Sequence, residues 1–459
     1  MGGVFLTRQP FLVRDKQFYK TFFTLTLFIS LQQFITFSVN LADNLMLGAY
    51  SETALSGAAL VNQVQYLLQT IVSGFSSGVV VLGSQYWGKR DVPPIRRIFS
   101  LGFKFSLTAG VIFCLITALL PRQVLGLLTN DPAVIEQGAI YLSVMCFTYI
   151  LFAFSNSIIM SLRTVETTMI GPVVSLAALA INSSLNYCLI FGNFGFPRMG
   201  ILGAAIATCT SRVAELVIVL IYLFFIDKKL KLRPRDLIRL DGFYLKDYVP
   251  VTLPIVASSG FWGLAMVAQT AILGHMSAAA IAANSVAGTV FQIASVIAMC
   301  SANSSAVVMG KTIGEGRTDM VKPYSRTLQV LFLIIGIASG LVLFLLKDLI
   351  LGLYVLTPET YALSDSFILV LCITLVGSAY EFPVSAGIIM GGGDTKYAFW
   401  VDTLFMWCFT IPLSALSAFV WNFPPLVTFI FLKADQILKC IPNTIKCNRY
   451  RWIRELTHD

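Results

Sequence analysis

Histidine is nearly missing from this chain of 459 residues: His275 and His458 are the only two. Charge is scarce as well, with 12% Asp, Glu, Lys and Arg against 57% hydrophobic residues. A soluble protein with that balance would expose apolar patches large enough to aggregate. The nine cysteines, Cys114, Cys146, Cys188, Cys209, Cys300, Cys372, Cys408, Cys440 and Cys447, form no CxxC pair. Most lie in apolar runs, so they read as small core residues, not as a disulfide framework or a metal site. Ten-residue segments of alternating hydrophobicity are absent, which excludes a transmembrane barrel. Paired Asp-rich motifs, which would hold magnesium on a pyrophosphate, are absent too. That argues against a polytopic membrane enzyme such as a prenyl transferase. No enzyme activity, metal or cofactor is expected.

What the chain does have is long apolar runs of the length a helix needs to cross a bilayer, about 20 residues. Twelve are predicted: 20–47, 59–87, 98–120, 134–160, 169–191, 201–226, 249–273, 281–310, 325–346, 366–390, 397–420 and 424–441. Several exceed a straight crossing, which implies tilt, bends or extension past the bilayer. Arg8, Arg14 and Lys16 run directly into the first span with no small-residue cleavage site, so no cleavable signal peptide is expected. The net charge of +9 is distributed by side. Lys89, Arg90, Arg96 and Arg97 follow span 2. Lys228, Lys229, Lys231, Arg233, Arg235, Arg239 and Lys246 join spans 6 and 7. Lys311, Arg317, Lys322 and Arg326 follow span 8, and Lys439, Lys446, Arg449, Arg451 and Arg454 form the tail. The opposite loops carry only Arg122, Arg198 and Lys347. That asymmetry follows the positive-inside rule and puts both termini in the cytoplasm. It explains the basic charge without a nucleic-acid partner.

The chain also nearly repeats itself at an offset of 226 residues. Residues 42–48, ADNLMLG, align with residues 268–274, AQTAILG, and the register continues through Ser51/Ser277, Ala54/Ala280, Val64/Val290, Ile71/Ile297, Val81/Val307 and Gly88/Gly314. Duplicated membrane halves mark secondary transporters. The predicted fold is an all-α polytopic membrane protein with twelve spans in two six-helix lobes. Each half has an even number of spans, so the lobes are expected to be related by a pseudo-two-fold axis along the membrane normal. The expected parts are a lobe over 1–226, a basic cytoplasmic linker over 227–248, and a second lobe with a basic tail over 249–459. A further repeated feature is Leu162-Arg163-Thr164-Val165-Glu166-Thr167, after span 4, which resembles Met390-Gly391-Gly392-Gly393-Asp394-Thr395, after span 10.

Asp43-Asn44-Leu45-Met46-Leu47-Gly48, the Gly-Lys-Arg loop after span 2, Gly391-Gly392-Gly393-Asp394-Thr395, and Gly203-Ala204-Ala205-Ile206-Ala207-Thr208 together resemble the multidrug and toxic compound extrusion (MATE) family. The resemblance covers nearly the whole chain. It implies a cleft between the lobes that opens alternately to each side, and export of organic, often cationic, compounds driven by entry of protons or sodium ions. It further implies a monomer in the plasma membrane whose partners are small organic substrates and the bilayer.

Asp43 is the first candidate coupling residue. It lies late in span 1 and faces Gln269 in the second repeat. A charge at mid-membrane costs about 2.5–3.5 kcal/mol on insertion scales, so such an acid is usually paired, wet or functional. The alternative is an Asp capping the helix exit at Gly48. Asn182 and Asn186 lie one turn apart on span 5 and share a face. Two amides supply acceptors for a cation or hydrogen bonds for a carboxyl, or act as interhelical glue. In the family pattern Asp43 matches the first-lobe acid and Asn182 an Asn of the ion site. The position of Asn186 is often Asp in other members.

A possible secondary polar site involves Arg212 and Glu215, spaced i, i+3 on span 6, which also read as a structural pair or a tether of the Asp43 network, and Tyr380 and Glu381 on span 10 just before Pro383, where Glu381 either substitutes for a second-lobe acid or is structural. The acid pair of NorM-type members aligns to Ala379 and Ser259, so this chain lacks it. Some relatives carry a proline in span 1 where this chain has Phe28, and no proline lies between Phe11 and Leu47. Proline-hinged bending of that span is therefore not expected. Residues 74–78 match GxSxG, but inside a helix and with no histidine partner they read as packing glycines. Tyr66, Phe261, Trp262 and Met266 are candidates for a promiscuous substrate cleft, or are ordinary core residues.

The leading functional expectation is a proton- or sodium-coupled antiporter. The alternative is a lipid-linked precursor flippase of the same broad superfamily. Flippases line their cavity with basic residues, and here only Lys104, Arg212 and Lys433 are predicted well inside spans, with Lys20, Arg326 and Lys439 at span ends.

Overall fold

The computed structural model describes residues 12–238, 242–352, 354 and 356–458; Arg8 and Arg239 of the predicted basic segments lie outside them. Every regular element among the described residues is helical. In hydrocarbon, a helix satisfies its own backbone polar groups, and a lone strand cannot.

The first half runs α1 (Lys16–Tyr50), α2 (Glu52–Gly88), α3 (Val92–Leu119), the short α4 (Pro121–Gly126), α5 (Pro132–Thr164), α6 (Ile170–Phe191) and α7 (Ile201–Ile221), which ends in a π turn over Tyr222–Ile226. The one-turn α8 (Pro234–Ile238) leads to the second half. There follow α9 (Gly242–Gly274), α10 (Ala278–Ala294), α11 (Val296–Gly314), α12 (Thr318–Leu351), α13 (Pro358–Phe382), α14 (Thr395–Leu404), α15 (Ile411–Phe419), α16 (Pro425–Lys433), α17 (Asp435–Leu438) and α18 (Cys440–Arg449). Wide π segments extend α13 over Pro383–Ile389 and join α14 to α15 over Phe405–Thr410. Among the described residues, eleven helices are long and apolar enough to cross a membrane.

Two predicted spans are interrupted. Span 8 breaks at Ser295 into α10 and α11, and span 12 becomes α16, α17 and α18. As expected without proline, α1 is a single helix of 35 residues.

The repeat is written in the backbone. Ser51 Oγ accepts from Ala54 N at 3.4 Å, and Ser277 Oγ accepts from Ala280 N at 3.0 Å, so the second span of each half starts with the same cap. Arg90 (φ 61°) and Gly316 (φ 71°) close the loops after α2 and α11, 226 residues apart. The turns after α5 and after the π segment of α13 also match. Thr167 N donates to Leu162 O at 2.9 Å, and Asp394 N donates to Ile389 O at 3.2 Å. Their left-handed residues are Glu166 (φ 56°) and Gly393 (φ 101°), so the backbone pairs Glu166 with Gly393, one position before the Asp394 that sequence likeness suggested.

The chain forms two compact units. One comprises 27–83 and 91–260; the other comprises 1–26, 84–90 and 261–459. Each has its own apolar core, built in the same register: Leu47, Val61 and Val64 in the first, Leu273, Ala287 and Val290 in the second. Lipid is as apolar as leucine, so these cores gain mainly from close packing. Glycines permit it. A Cβ on Gly74 would meet Val256 Cγ2 at 2.9 Å, and one on Gly78 would overlap Thr252. The GxSxG segment therefore lies inside α2 and is a packing face. At the other end of α2, Gly88 lies against Lys311 and Gly314, while Gly314 lies against Gln85.

Candidate functional site

Asp43 lies seven residues before the end of α1 and does not cap it; its carboxylate turns to α6. Asn186 Nδ2 donates to Asp43 Oδ1 and stands 3.1 Å from Asn182 Oδ1, which also accepts from it. Asn182 Nδ2 in turn donates to Thr208 Oγ1 on α7 at 3.1 Å. The i, i+4 spacing places both amides on one face of α6, and both are fully buried. Asp43 keeps partial exposure. Asn186 Oδ1 is buried with no hydrogen-bond partner. Tyr141 of α5, also buried, lies beside Thr208 and within the field of Asp43. The arrangement offers a carboxylate with access, a spare amide oxygen and hydroxyls behind them. Such a set can exchange a proton or hold a small cation by its oxygens.

One turn further along α7, Arg212 pairs with Glu215 at 2.7 Å, as the spacing predicted. Ser155 Oγ of α5 donates to the other carboxylate oxygen of Glu215 at 3.0 Å, and Arg212 stacks over Phe152 at 5.6 Å. Arg212 also contributes a favourable field at Asp43. The pair and the Asp43 chain therefore belong to one polar region of this unit.

The other unit carries different chemistry at the matching places. Gln269, the counterpart of Asp43, is buried; its Nε2 donates to Met406 Sδ at 3.4 Å and its Oε1 accepts from Lys433 Nζ at 3.4 Å. Glu381 is buried as well. Its Oε1 lies 3.4 Å from Lys439 Nζ, which also meets Asp402 at 3.2 Å and Asp435 at 3.1 Å. Asn443 Nδ2 donates to Glu381 Oε2 at 3.4 Å. Three carboxyl groups thus share one ammonium.

The residues of the expected secondary site fall in both units. Arg212 and Glu215 lie in one unit, Tyr380 and Glu381 in the other. Tyr380 also parts from Glu381: its hydroxyl reaches Gln329 at 2.9 Å and Thr444 at 2.8 Å. Consecutive residues on an α-helix point about 100° apart, so neighbours in sequence face different partners. Tyr66 is 46% exposed in one unit, while Phe261 and Trp262 are each 40% exposed in the other, where Phe261 contacts the rings of Phe399 and Trp407. Met266 is partly buried beside them in sequence.

Sequence reading missed Lys439, Asp402, Asp435, Thr208, Tyr141 and Ser155. Lys439, which the sequence groups with the basic tail, is buried, 5% exposed, beside Glu381. The acids' spacing to Lys439, four residues for Asp435, was the available signal. Among the described residues no group of His, Cys, Asp and Glu could hold a metal ion.

Comparison with known proteins agrees with this architecture. The family model MatE matches twice, over residues 29–188 and 254–440, once in each half. A probable multidrug resistance protein NorM of Listeria monocytogenes is 25% identical over 402 residues, 86% of this chain and 87% of that protein. The uncharacterized transporter YisQ of Bacillus subtilis is 23% identical over 451 residues, 96% of each. Among solved structures, an outward-facing multidrug resistance MATE family transporter of the MOP superfamily superposes with a TM-score of 0.85 at 18% identity, covering 96% of this chain and 98% of that one. A MOP superfamily transporter from Pyrococcus furiosus gives 0.86 at 17% identity, with coverage of 96% and 98%. With the model matched in both halves and the fold shared end to end, this chain belongs to the MATE family of multi-pass membrane transporters.

Proposed function

We propose that the protein is an antiporter that exports organic, cationic or amphipathic compounds by alternating access, driven by a cation entering through the Asp43 site. The observation that carries this reading is the Asp43–Asn186–Asn182–Thr208 chain, with its partly exposed acid and unpartnered buried oxygen on Asn186. Protons are the favoured coupling ion. The NorM-type acid positions hold Ala379 and Ser259, so a carboxylate-rich sodium site is missing there. Asp43 bonds an amide, an arrangement that works with the acid protonated or ionised. The reading places the protein as a monomer in the plasma membrane with both termini in the cytoplasm.

A gradient can drive export only if ion and substrate bind the two conformations with different affinities. The test is transport in liposomes with pH and sodium gradients imposed independently, for wild type, Asp43→Asn and Glu381→Gln at matched incorporation. Wild type is expected to transport on a pH gradient without sodium and to stop with a protonophore. Asp43→Asn keeps the acceptor for Asn186 but cannot exchange a proton, and is expected to lose gradient-driven export. Glu381→Gln is expected to be milder. Strict sodium dependence would overturn the proton assignment. A live Asp43→Asn beside a dead Glu381→Gln would move the coupling site to the other unit.

A further inference from the structure

The two repeats differ in charge at one matched position. In one unit, Asp43 lies in a polar region with Arg212 and Glu215. In the other, Gln269 replaces Asp43, and its amide oxygen accepts from the ammonium of Lys433.

Lys433 has an amide and two aromatic rings for neighbours. Its ammonium donates to Gln269 Oε1 at 3.4 Å and lies 5.8 Å from the ring centre of Phe291 and 5.6 Å from that of Phe429. Ring faces and an amide oxygen favour the protonated lysine. Phe429 is fixed in turn by Phe367, stacked at 3.9 Å with the planes 3° apart. Among the described residues no carboxylate forms an ion pair with Lys433. Asp435, whose field reaches it, has Oδ2 at 3.1 Å from Lys439 and is 4% exposed. An ammonium has three donors, and one is accounted for. Lys433 is only partly buried as a residue. A half-buried cation in a membrane protein, with aromatic walls and spare donors, is costly unless an anion completes it.

We propose that Lys433 and Gln269, walled by Phe291 and Phe429, form a binding site for the anionic oxygen group of an amphipathic ligand. A carboxylate on an aromatic or aliphatic body fits this chemistry; so does a lipid phosphate. For the antiporter proposed above, on which this reading builds, the consequence is that substrates include organic anions and zwitterions. On this reading the Asp43 site serves the coupling cation, and Lys433 with Gln269 in the other unit receives the ligand's negative charge.

Equilibrium binding tests the site without any gradient, so its outcome is independent of the coupling assay. The protein is placed in phosphatidylcholine nanodiscs and titrated with dansylglycine and with its methyl ester, reading dansyl fluorescence. Wild type is expected to bind the acid about tenfold or more tightly than the ester, the scale of one charge-assisted hydrogen bond. Lys433→Gln should erase that preference, and Lys433→Arg should keep it. Gln269→Glu should erase it also, because the new carboxylate pairs with Lys433 from within. Equal affinity of wild type for acid and ester overturns the proposal. So does a Lys433→Gln protein, monodisperse on size exclusion, that still prefers the acid. Phosphatidylglycerol in the discs separates the two sources: competition with dansylglycine assigns the resident anion to lipid phosphate, and no competition assigns it to a soluble carboxylate.

Discussion

Glu381, Asp402 and Asp435 converge on Lys439 with separations of 3.4, 3.2 and 3.1 Å. With every group ionised the cluster would hold an excess of buried negative charge. Deleting the ammonium and deleting one acid are therefore unequal changes. Lys439→Met takes the ammonium from buried Glu381 and Asp435 and is expected to cost about 3–5 kcal/mol, as when one partner of a buried pair is removed. Glu381→Gln removes one surplus charge, keeps a polar partner for Asn443, and is expected to cost less than about 1 kcal/mol. Thermal unfolding in detergent separates the two; equal losses would show that Lys439 packs there and does not balance charge. Asp43 was legible in the sequence because the repeat supplies its own control, Gln269, at the same position. Lys439 was not. It stands at the edge of a run that also includes Lys446, Arg449, Arg451 and Arg454, and a run of basic residues after a span reads as topology.

At the scale of elements, the caps and turns that punctuate the helices were mostly legible, and the breaks inside spans were not. Ser51 and Ser277 begin equivalent helices by the same hydroxyl cap, and both were in the aligned register. Ser295 ends α10 with neither glycine nor proline beside it; its hydroxyl donates to Gln292 O at 3.3 Å, competing for the helix's own acceptors. The break at Ala434 likewise carries no local breaker, so both spans read as continuous apolar runs. The paired turns after α5 and the π segment of α13 give a direct test of local backbone strain. Glu166 holds φ 56° with a side chain, while Gly393 holds φ 101°, where side chains are rarely tolerated. Gly393→Ala is expected to destabilise by about 1–3 kcal/mol, and its new Cβ would also press on Arg454 Cβ at 3.1 Å. Glu166→Gly should relax a strained residue and leave stability equal or raised by up to about 1 kcal/mol. Its carbonyl still accepts from Lys229 Nζ, 3.3 Å away, because that bond is to the backbone. Melting temperatures that fall equally in both variants would show that the two turns are not strained in the way their φ angles imply.

At the scale of the whole chain, the duplication, the helical class and the even span count were legible because they rest on patterns hundreds of residues long. The role of the last residues was not, since a short polar tail has no periodicity to read. Residues far apart in the sequence meet there. Gln85, near the end of α2 and fully buried, donates to Arg454 O at 3.0 Å and accepts from Leu456 N at 2.8 Å. Lys89 pairs with Glu455 at 3.0 Å, and His458 N donates to Tyr86 OH at 3.2 Å. On the other side, Arg454 N donates to Gly392 O at 2.9 Å, and the Arg454 guanidinium meets Asp394 at 3.1 Å. Trp452, wholly buried, fills the space over Gly392 that a Cβ there would occupy. The tail is thus a strap between α2 and the turn after α13. Removing residues 451–459 would strip Gln85 of both bonds, at about 1–3 kcal/mol for a buried polar group left unpaired. It would also vacate the Trp452 site, at about 3–5 kcal/mol by analogy with large-to-Ala changes in cores. The Lys89–Glu455 pair is exposed on its acidic side and should contribute little. The expected result is a truncated protein with a clearly lower melting temperature in detergent, and Trp452→Ala should reproduce most of the loss while Glu455→Gln should not. If the truncated chain melts with the full-length protein, the strap does not hold the end of α2 in place, and the bonds to Gln85 are replaced by water at no cost.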